Sequence, residues 1–473
     1  MSTVTPRAAR VADLFDPNAE TPGRGRRGRT APPKAPRPRP QIGRAAAVVA
    51  AAGLVAVIGL GVATETSSEL SLPGGGTTFI GSVTGLAGTY LALVMVLIVA
   101  RIPALERIIG QDGMMKVHKW LSPWPLSLIF AHAVFITVGY AQAAHAGTWA
   151  EIGKLIDNYP DVLAATVALA LMGAIGIASI RAIRERMRRE TWWVLHLYMY
   201  LALALSFAHA LVLGPAFVGH PLTRIVWSLI WAATAGTVLV YRIGLPVLRS
   251  LRYRLEVVEV SEEAPGITSI VVSGHHLERL AFSGGQFFAW RFLTPGLWWQ
   301  AHPYSLSALP RPPYLRLTVK AVGDHSATLA KLAPGTKVVV EGPYGAVTSH
   351  AKKRQKVAIV AGGIGVTATR CLLEDLGRDT NPVVILRASS PEQLVLRDEV
   401  AELVRRRKGT LYEMIGARTD TPRMGRELRR LVPDLARRDL YVFGPPGLVE
   451  DVVEAGRVLG VPDGSLHREV FSW

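Results

Sequence analysis

Long apolar runs fill the first half of the chain, whereas shorter, mixed segments fill the second half. Each run approaches the roughly 20 residues that an α-helix needs to cross a bilayer. Helices buried in a soluble bundle rarely stay apolar on every side over such a length. The pattern therefore predicts a membrane all-α six-helix bundle over residues 44–246. Its predicted helices cover residues 44–64, 79–100, 118–141, 160–180, 191–214 and 223–245.

The loops between these runs differ in charge. Residues 101–107 and 181–189 are basic, whereas the alternate loops at 65–78 and 142–159 have little positive charge. Basic loops stay on the cytoplasmic side of a membrane protein. We therefore expect a multi-pass protein of the plasma membrane, in contact with lipid, whose N-terminus and second half are cytoplasmic.

The second half has the pattern of a soluble protein. Short alternating runs such as 252–260 and 268–273 predict antiparallel strands. From Val357 onward, buried apolar runs alternate with helical stretches, which is typical of a parallel α/β sheet. We predict an antiparallel β-barrel domain at 250–350 and an α/β parallel-sheet domain at 354–473.

The charge and the cysteine count narrow the class of protein further. The net charge is +17, but its basic clusters at residues 7–44 and 181–189 adjoin apolar runs. This placement favours membrane anchoring over nucleic-acid binding. Residues 1–43 are predicted to form a disordered basic tail, since they are rich in Arg, Pro and Gly. The single cysteine, Cys371, excludes an intrachain disulfide and a Cys-ligated iron–sulfur cluster.

Two of the apolar runs contain two histidines each. His118 and His132 are 14 residues apart, and His196 and His209 are 13 residues apart. Helical rise makes these separations about 21 and 20 Å, so each helix has one imidazole near the cytoplasmic side and one nearer the outside. Ionisable side chains within a membrane are costly and mark functional sites. Pairing by depth, His118 with His196 and His132 with His209, predicts the axial ligands of two haems.

Helical geometry does not favour this pairing at every point. Thirteen residues leave an offset of about 140° between His196 and His209, so their helix needs a bulge, a bend or a tilt. Pro123 and Pro125 interrupt the third run between its histidines, and prolines kink helices. The alternative is that the histidines are structural and that the helices only anchor a cytoplasmic flavin reductase.

The strongest local motif of the second half is the segment His302-Pro303-Tyr304-Ser305-Leu306-Ser307. An aromatic ring followed by hydroxyl groups can cover a flavin ring and hydrogen-bond its edge. Candidate phosphate contacts follow at Lys320, Gly323 and Ser326, and we expect Ser326 to cap a helix whose N-terminus faces a pyrophosphate. The alternative is a β-barrel with turn residues at these positions.

Residues 357–367 have the order strand, tight glycine turn, helix. This arrangement lets a phosphate approach the backbone closely. It predicts that Gly362, Gly363, Gly365 and Thr367 bind a nicotinamide nucleotide.

The residue after the next predicted strand bears on the choice of nucleotide. Arg387 stands there, and no acidic residue follows the strand to take a ribose 2′-hydroxyl. An arginine at this place favours a 2′-phosphate, and hence NADPH over NADH. Arg418 and Arg423 could assist it, or could be solvated surface charges.

These motifs, in this order, resemble those of the ferric reductase and NADPH oxidase superfamily over roughly residues 44–473. The histidine spacings and the segment Val-His-Lys-Trp-Leu around His118 resemble a ferric-reductase-type haem domain. The second half resembles ferredoxin–NADP reductase modules, which implies an FAD-binding β-barrel domain at 250–350 and an NAD(P)-binding α/β domain at 354–473. The resemblance implies a flavin-ring motif at His302–Ser305, a domain-closing turn from Gly342 to Gly345, a pyrophosphate loop from Gly362 to Thr367, and a nicotinamide motif that includes Gly444 and Pro445.

The resemblance also implies roles for individual residues. Tyr304 and Ser305 would act at the flavin ring, and Glu469 would lie near the site of hydride transfer. Phe471, or alternatively Trp473, would cover the flavin until nicotinamide displaces it.

The chain departs from the family pattern at a few positions. Ala368 stands where the family often has proline, and Phe443 stands where it usually has cysteine. The prolines after His118 are a third departure. All three bear on efficiency more than on identity.

The motifs together predict a transmembrane oxidoreductase that passes electrons from NAD(P)H through FAD and two b-type haems. The expected acceptor is a ferric chelate, then oxygen, then a redox protein. The alternative is a membrane-anchored NAD(P)H:flavin or ferredoxin-type reductase without functional haems. A haem-bearing sensor is disfavoured, because complete flavin and nicotinamide motifs would be superfluous in it.

Overall fold

The computed structural model describes most of the chain and divides it into two units. The first unit is helical, and the second contains both β-sheets. The described residues are 11–17, 33, 40–64, 67–416 and 421–471. The helical unit comprises residues 40–105 and 112–242, and the second comprises residues 106–111, the chain from residue 243 onward and the described N-terminal residues.

The helices up to residue 238 cover the predicted apolar runs, and two further stretches, at 103–117 and 148–158, are also helical. Single helical turns at Ser67–Leu70 and Arg181–Arg184 lie between the longer helices. The longer helices are α1 (Pro40–Ala63), α2 (Gly75–Val99), α3 (Pro103–Leu121), α4 (Pro123–Ala143), α5 (Thr148–Asn158), α6 (Val162–Ala178), α7 (Arg189–Leu213) and α8 (Pro221–Val238).

Several of these helices have the length and composition of membrane spans, which indicates a multi-pass membrane protein. Within the described residues, five segments qualify. The fourth predicted run forms α6, which has only 17 residues. The predicted count of six is therefore not confirmed. The five segments are Gln41–Ala63, Gly75–Val99, Gly113–Ala143, Glu190–Leu213 and Pro221–Tyr253.

The prolines of the third run do not open a loop in it. Only Ser122 separates α3 from α4, and its φ of −55° and ψ of −33° are helical. Pro123 is the first residue of α4, and Pro125 lies in its first turn. Proline is tolerated there, because those N–H groups have little need of an intrahelical acceptor.

Glycines let α2 and α4 approach each other closely. A Cβ atom added at Gly81 would lie 2.9 Å from the side chain of Ile136. One added at Gly85 would lie 2.5 Å from Nδ1 of His132. Small residues at such contacts are how membrane helices pack without large side chains between them. The backbone of α2 therefore determines how near His132 can come to it.

The second unit begins with an antiparallel sheet in the strand order β4-β3-β6-β1-β2-β5. An isolated bridge between Leu306 and Leu317 links the segments of the two edge strands. The antiparallel sheet was predicted correctly, and its closure into a barrel stays a prediction. Its elements are α9 (Leu245–Tyr253), β1 (Leu255–Ala264), β2 (Ile267–Ser273), β3 (Phe287–Phe292), β4 (His302–Ser305), β5 (Tyr314–Lys320), α10 (Asp324–Thr328) and β6 (Lys337–Tyr344).

The remainder of this unit is a parallel sheet with helices on both faces, as predicted. Ile359 and Ala361 of its central strand pack into one core, and Ala358 and Val360 pack into another. Such alternation is what a strand buried on both faces requires. The strand order is β11-β10-β7-β8-β9. The elements are β7 (Val357–Gly362), α11 (Val366–Asp375), β8 (Val383–Ala388), α12 (Arg397–Arg405), β9 (Thr410–Ile415), α13 (Thr421–Leu431), β10 (Asp439–Gly444), α14 (Pro446–Val458) and β11 (Leu466–Val470).

A short N-terminal segment corrects the prediction of a wholly disordered tail. Residues Val11–Phe15 form a 3₁₀ helix. Phe15 is fully buried against Val271 and Ala308, and Val11 packs beside it. The composition of the tail is dominated by Arg, Pro and Gly, so it did not indicate that these few apolar side chains would pack.

Candidate redox-cofactor sites

The four histidines of the helical unit lie in two close pairs. The ring centroids of His118 and His196 are 6.2 Å apart, with their planes at 72°. The centroids of His132 and His209 are also 6.2 Å apart, with their planes at 71°. One metal ion bonded to two imidazoles by bonds of about 2 Å would hold the ring centres roughly 6 Å apart. The structure thus brings together the pairs predicted from depth, at a spacing that suits an iron between them.

The orientation of His132 is fixed by a hydrogen bond to the neighbouring helix. Its Nδ1 lies 2.8 Å from the carbonyl oxygen of Gly81, to which it can only donate. Nδ1 then carries the proton, and Nε2 keeps its lone pair. Histidines that bind metals usually donate their other N–H in this way.

The other three histidines have polar atoms that the protein does not satisfy. Nδ1 of His118, His196 and His209 is buried and has no hydrogen-bond partner among the described residues. Leaving a buried polar atom unpaired costs about 1–3 kcal/mol. Imidazoles maintained at such a cost suit a ligand-binding role better than a packing role.

His196 and His209 lie in the same helix, and each of them is paired with a histidine from another helix. This helix, α7, is continuous from Arg189 to Leu213. The bulge considered above is therefore not what aligns its two histidines. Trp192, one turn before His196, stacks on that ring with centroids 5.0 Å apart.

A cavity of about 1130 Å³ adjoins the pair formed by His132 and His209. This volume exceeds the roughly 300–1,000 Å³ of most small-molecule sites. Its walls are mainly apolar and include small side chains that leave space beside the rings. The cavity therefore fits a large planar group such as a haem. Among its lining residues are Gly85, Ile129, Ala133, Leu169 and Met172.

The predicted flavin strand, β4, presents a row of rings. Tyr304 is buried, and burial raises the pKa of its phenol, which keeps it neutral. The His302 ring lies 6.3 Å from Tyr304 and stacks on His325, with centroids 3.5 Å apart. Burial lowers the pKa of His325, which favours the neutral form of its ring in this stack. His325 was not predicted as a site residue, although it lies between the predicted phosphate contacts Gly323 and Ser326, because no local pattern links its ring to that of His302. Pro303, between the rings, is exposed.

Both serines of this motif are buried, and the hydroxyl of one of them is hydrogen-bonded to other side chains of the protein. Ser305 is 8% exposed at the end of β4, and Ser307 is fully buried. Oγ of Ser307 accepts hydrogen bonds from Arg316 Nε at 3.0 Å and from Thr318 Oγ1 at 2.9 Å. These bonds assign Ser307 a structural role, in place of the predicted contact with a cofactor.

The predicted phosphate contacts lie together after β5, but the helix cap differs from the prediction. Oγ of Ser326 accepts hydrogen bonds from the N–H groups of Val322 and Gly323, at 2.9 and 3.1 Å. Ser326 is thus the third residue of the turn, and Gly323 is the N-cap. Lys320, at the end of β5, donates to Gln393 at 3.4 Å.

Gly342 and Gly345 lie in the predicted turn at the end of this domain. Both have a positive φ, of 129° and 101°. A Cβ on Gly342 would lie 3.0 Å from the Phe288 ring, and one on Gly345 would lie 3.4 Å from the Phe287 ring. The turn is thus packed closely against β3, as a domain-closing turn would be.

The glycine loop after β7 is shaped by close backbone contacts. Gly363 has a φ of +53°, which favours glycine. A Cβ on Gly365 would lie 2.4 Å from the carbonyl oxygen of Phe443 on β10. Thr367 Oγ1 donates to the carbonyl of Ile364 at 2.9 Å and closes the turn into α11. The predicted strand–turn–helix order is therefore present in this loop.

Strand register places the predicted 2′-phosphate residue beside this loop. Arg387 of β8 lies opposite Gly362 of β7. Burial, followed by the nearby positive charge of Arg423, lowers the pKa of Arg387. The two positive charges are thus near enough to influence each other beside the predicted nucleotide loop. Arg418 lies outside the described residues.

The same edge of the sheet collects the predicted nicotinamide residues. Glu469 of β11 lies opposite Phe443 of β10, and the N–H of Phe471 donates to the carbonyl of Gly444 at 2.8 Å. A Cβ on Gly362 would lie 3.3 Å from the ring of Pro445. The motifs that are widely separated in sequence therefore meet at one edge. Trp473 lies outside the described residues.

Two of the departures from the family pattern lie in the core of the nucleotide-binding domain. Ala368 and Phe443 are both fully buried, and their side chains belong to the same apolar cluster. Phe443 thus contributes its backbone to the edge of the site and its ring to packing.

Comparison with known proteins agrees with this arrangement. Residues 84–207 match the family model of the ferric reductase like transmembrane component, and residues 266–348 match that of an FAD-binding domain. The chain is 26% identical to the stachydrine N-demethylase reductase subunit Stc4 of Rhizobium meliloti (strain 1021), over 46% of this chain and 66% of that protein.

Two further relatives match both halves of the chain. Ferric/cupric reductase transmembrane component 1 of Candida albicans (strain SC5314 / ATCC MYA-2876) is 24% identical, over 62% of this chain and 37% of its own length. Dual oxidase 2 of Homo sapiens is 21% identical, over 58% of this chain and 18% of its own length. The chain therefore spans about two thirds or less of each of these three relatives. It joins helices that match a ferric reductase like transmembrane component to a region that matches an FAD-binding domain.

The contact at Gly365 generates a testable prediction. A Gly365→Ala substitution forces a methyl group against the Phe443 carbonyl, at a cost of about 1–3 kcal/mol. We expect weaker binding of NADPH, measured as a higher concentration for half-maximal flavin reduction. Gly377→Ala is the matched control, because a Cβ there meets nothing within 4 Å. Equal effects of the two substitutions would contradict the assigned role of the loop.

Proposed function

Because this chain joins a ferric-reductase-like transmembrane component to an FAD-binding domain, as the ferric reductase and NADPH oxidase superfamily does, we propose that it is a transmembrane electron-transfer oxidoreductase. Its electron donor is NAD(P)H, and its cofactors are FAD and two b-type haems. The observation that carries the proposal is the pair of 6.2 Å histidine contacts at two levels of one helical unit.

Each histidine pair would hold one haem. His118 and His196 would hold one of them, and His132 and His209 would hold the other. When bound, the haems supply one-electron chemistry that side chains lack, and FAD links it to two-electron hydride chemistry. The protein provides neutral imidazoles, an apolar surrounding and a fixed ring orientation through Gly81. These features favour retention of the iron over exchange with solvent.

The hydride-transfer end would be built at the edge of the parallel sheet. Gly362, Gly363 and Gly365 leave the backbone open to a pyrophosphate at the start of α11. Glu469 and Phe471 stand beside Gly444, where the nicotinamide is expected. Burial keeps the Tyr304 phenol un-ionised, as suits a ring that packs against a flavin.

The proposed topology places both termini in the cytoplasm. It takes α6 as the sixth span, since its 17 residues are at the lower limit of the roughly 17–25 that cross a bilayer. The basic loops at 101–107 and 181–189 then lie inside. Outward electron flow across a plasma membrane runs with an inside-negative potential, which contributes about 2.3 kcal/mol per 100 mV.

The acceptor is proposed to be a ferric chelate, with oxygen second and a redox protein third. The printed names of two relatives, a ferric/cupric reductase component and a dual oxidase, support the first two. The reductase subunit named among the relatives matches 46% of this chain and supports the alternative of a membrane-anchored reductase without haems. The histidine pairs favour the transmembrane route, because that alternative gives them no function.

Replacement of His132 tests the proposal. The His132→Ala protein should keep its FAD and one haem and lose the other, and reduction of an external ferric chelate should stop. NADPH should still reduce its flavin. His145→Ala is the matched control, because His145 is exposed in a loop and should change neither haem content nor activity. Retention of both haems in the His132 variant would refute the assignment.

The preference for NADPH is tested at Arg387. Loss of a charge-assisted contact of about 1.5–3 kcal/mol should raise the KM for NADPH by about tenfold to a hundredfold in Arg387→Ala. The KM for NADH should change little, because NADH has no 2′-phosphate. Arg429→Ala, an exposed arginine of the same domain, serves as the control. An equal rise for both nucleotides would show that Arg387 does not select the phosphate.

A further inference from the structure

The N-terminal segment Val11–Pro17 docks where the antiparallel-sheet domain meets the nucleotide-binding domain. Phe15 is fully buried there, on Val271 and Ala308 of the first domain. In a tail that is exposed to solvent, an aromatic ring would remain accessible to water, and the Phe15 ring does not. The segment is therefore an integral part of this junction.

The Phe15 ring is bordered by two guanidinium groups. Arg311 Cζ lies 5.6 Å from its centroid, and Arg316 Cζ lies 5.3 Å from it. A cation over an aromatic face is attracted by the ring, and more strongly when water is excluded. The ring thus acts as a specific anchor for two arginines of the antiparallel-sheet domain.

Arginines from both domains also bind the backbone of the segment. Arg311 donates to the carbonyl of Leu14. Arg370 of α11 donates to the carbonyl of Phe15 at 2.5 Å, and Arg406, just after α12, donates to the carbonyl of Pro17 at 2.6 Å. Since Arg311 belongs to one domain and Arg370 and Arg406 to the other, the segment connects the two.

The same arginines form an ion network across the junction. Arg316 contacts Glu399 of α12 at 2.7 Å, and Arg370 contacts the same carboxylate at 2.7 Å. Arg311 contacts Glu374 of α11 at 3.1 Å. Buried ion pairs stabilise a structure only when their remaining donors are satisfied. The carbonyls of the docked segment satisfy donors of this network and exclude water from it.

The network touches both halves of the hydride-transfer site. Arg370 lies three residues after Thr367, on the helix that follows the pyrophosphate loop. Glu374 accepts the N–H of Leu309, at 2.9 Å, shortly after the flavin strand. A displacement of the segment would therefore change the positions of both the flavin strand and the nucleotide helix.

The charge of the segment identifies it as the natural occupant of this surface. The tail up to residue 44 contains ten Lys and Arg residues and three acidic ones, Asp13, Asp16 and Glu20. Two of those acids fall in the docked segment, which meets a surface rich in arginine. The basic remainder of the tail would be repelled from the same surface.

We propose that Val11–Pro17 is a tethered peptide ligand of the domain junction, and that its docking holds the two domains at the separation that hydride transfer requires. The inference rests on the proposed reduction of FAD by a nicotinamide nucleotide and is independent of the haems. Phe15 is a positioning residue, since it contacts arginines of the network and not the reacting groups.

The test compares Phe15→Ala with Val458→Ala in the full-length protein. Val458 is an apolar residue outside the segment and its network and is 72% exposed, so its loss should change little. In Phe15→Ala, flavin reduction by NADPH, followed by stopped-flow absorbance, should slow by about tenfold to a hundredfold through misplacement of the domains. Amide hydrogen exchange should rise at residues 307–316 and 366–376, with FAD content unchanged.

Two additional experiments test the proposal even if the first variant does not fold. If Phe15→Ala does not accumulate, Phe15→Leu fills most of the space without the cation–π contact and should give a smaller slowing. A synthetic peptide of residues 10–18, added to Phe15→Ala, should restore part of the rate. An unchanged rate and unchanged exchange in the Phe15 variants would overturn the inference. Wild-type protein whose flavin is not reduced by NADPH would refute the proposed function instead.

Discussion

A neutral imidazole buried among apolar helices costs free energy unless its ring nitrogens have partners. Four such rings occur in the helical unit, and the protein itself satisfies Nδ1 of His132 through Gly81. The rings stand in two pairs at a spacing that suits a shared metal. The proposed route of electrons across the membrane depends on this arrangement, and the flavin and nucleotide domains provide its source of electrons.

Both cofactor regions use the same physical device, which is the close approach of a backbone to its neighbour at glycine. Gly85 leaves no space for a Cβ beside His132, and Gly365 leaves none beside the Phe443 carbonyl. A larger residue at either place would displace the group that the site needs. The N-terminal segment provides a different kind of contact, in which arginines from two domains donate hydrogen bonds to the carbonyls of one segment.

The sequence predicted features that depend on local pattern or depth. The antiparallel and parallel sheets follow from alternation and from buried runs, and the histidine pairs follow from helical rise. Features that depend on tertiary contacts were not predictable. The hydroxyl of Ser307 accepts a hydrogen bond from Arg316, and the ring of His325 stacks on that of His302 from the other side of β5 in sequence. Phe15 is buried although the composition of the surrounding tail is typical of a disordered segment. The fourth predicted span is shorter than its apolar run, because α6 begins after Asp161 and ends at Ala178.

The most direct measurement is the haem content of the purified full-length protein, determined as the pyridine haemochrome and related to its FAD. The account predicts two b-type haems for each FAD, and anaerobic addition of NADPH should convert both to their reduced spectrum. A protein with its full complement of FAD and no haem would contradict the account and leave a tethered flavin reductase.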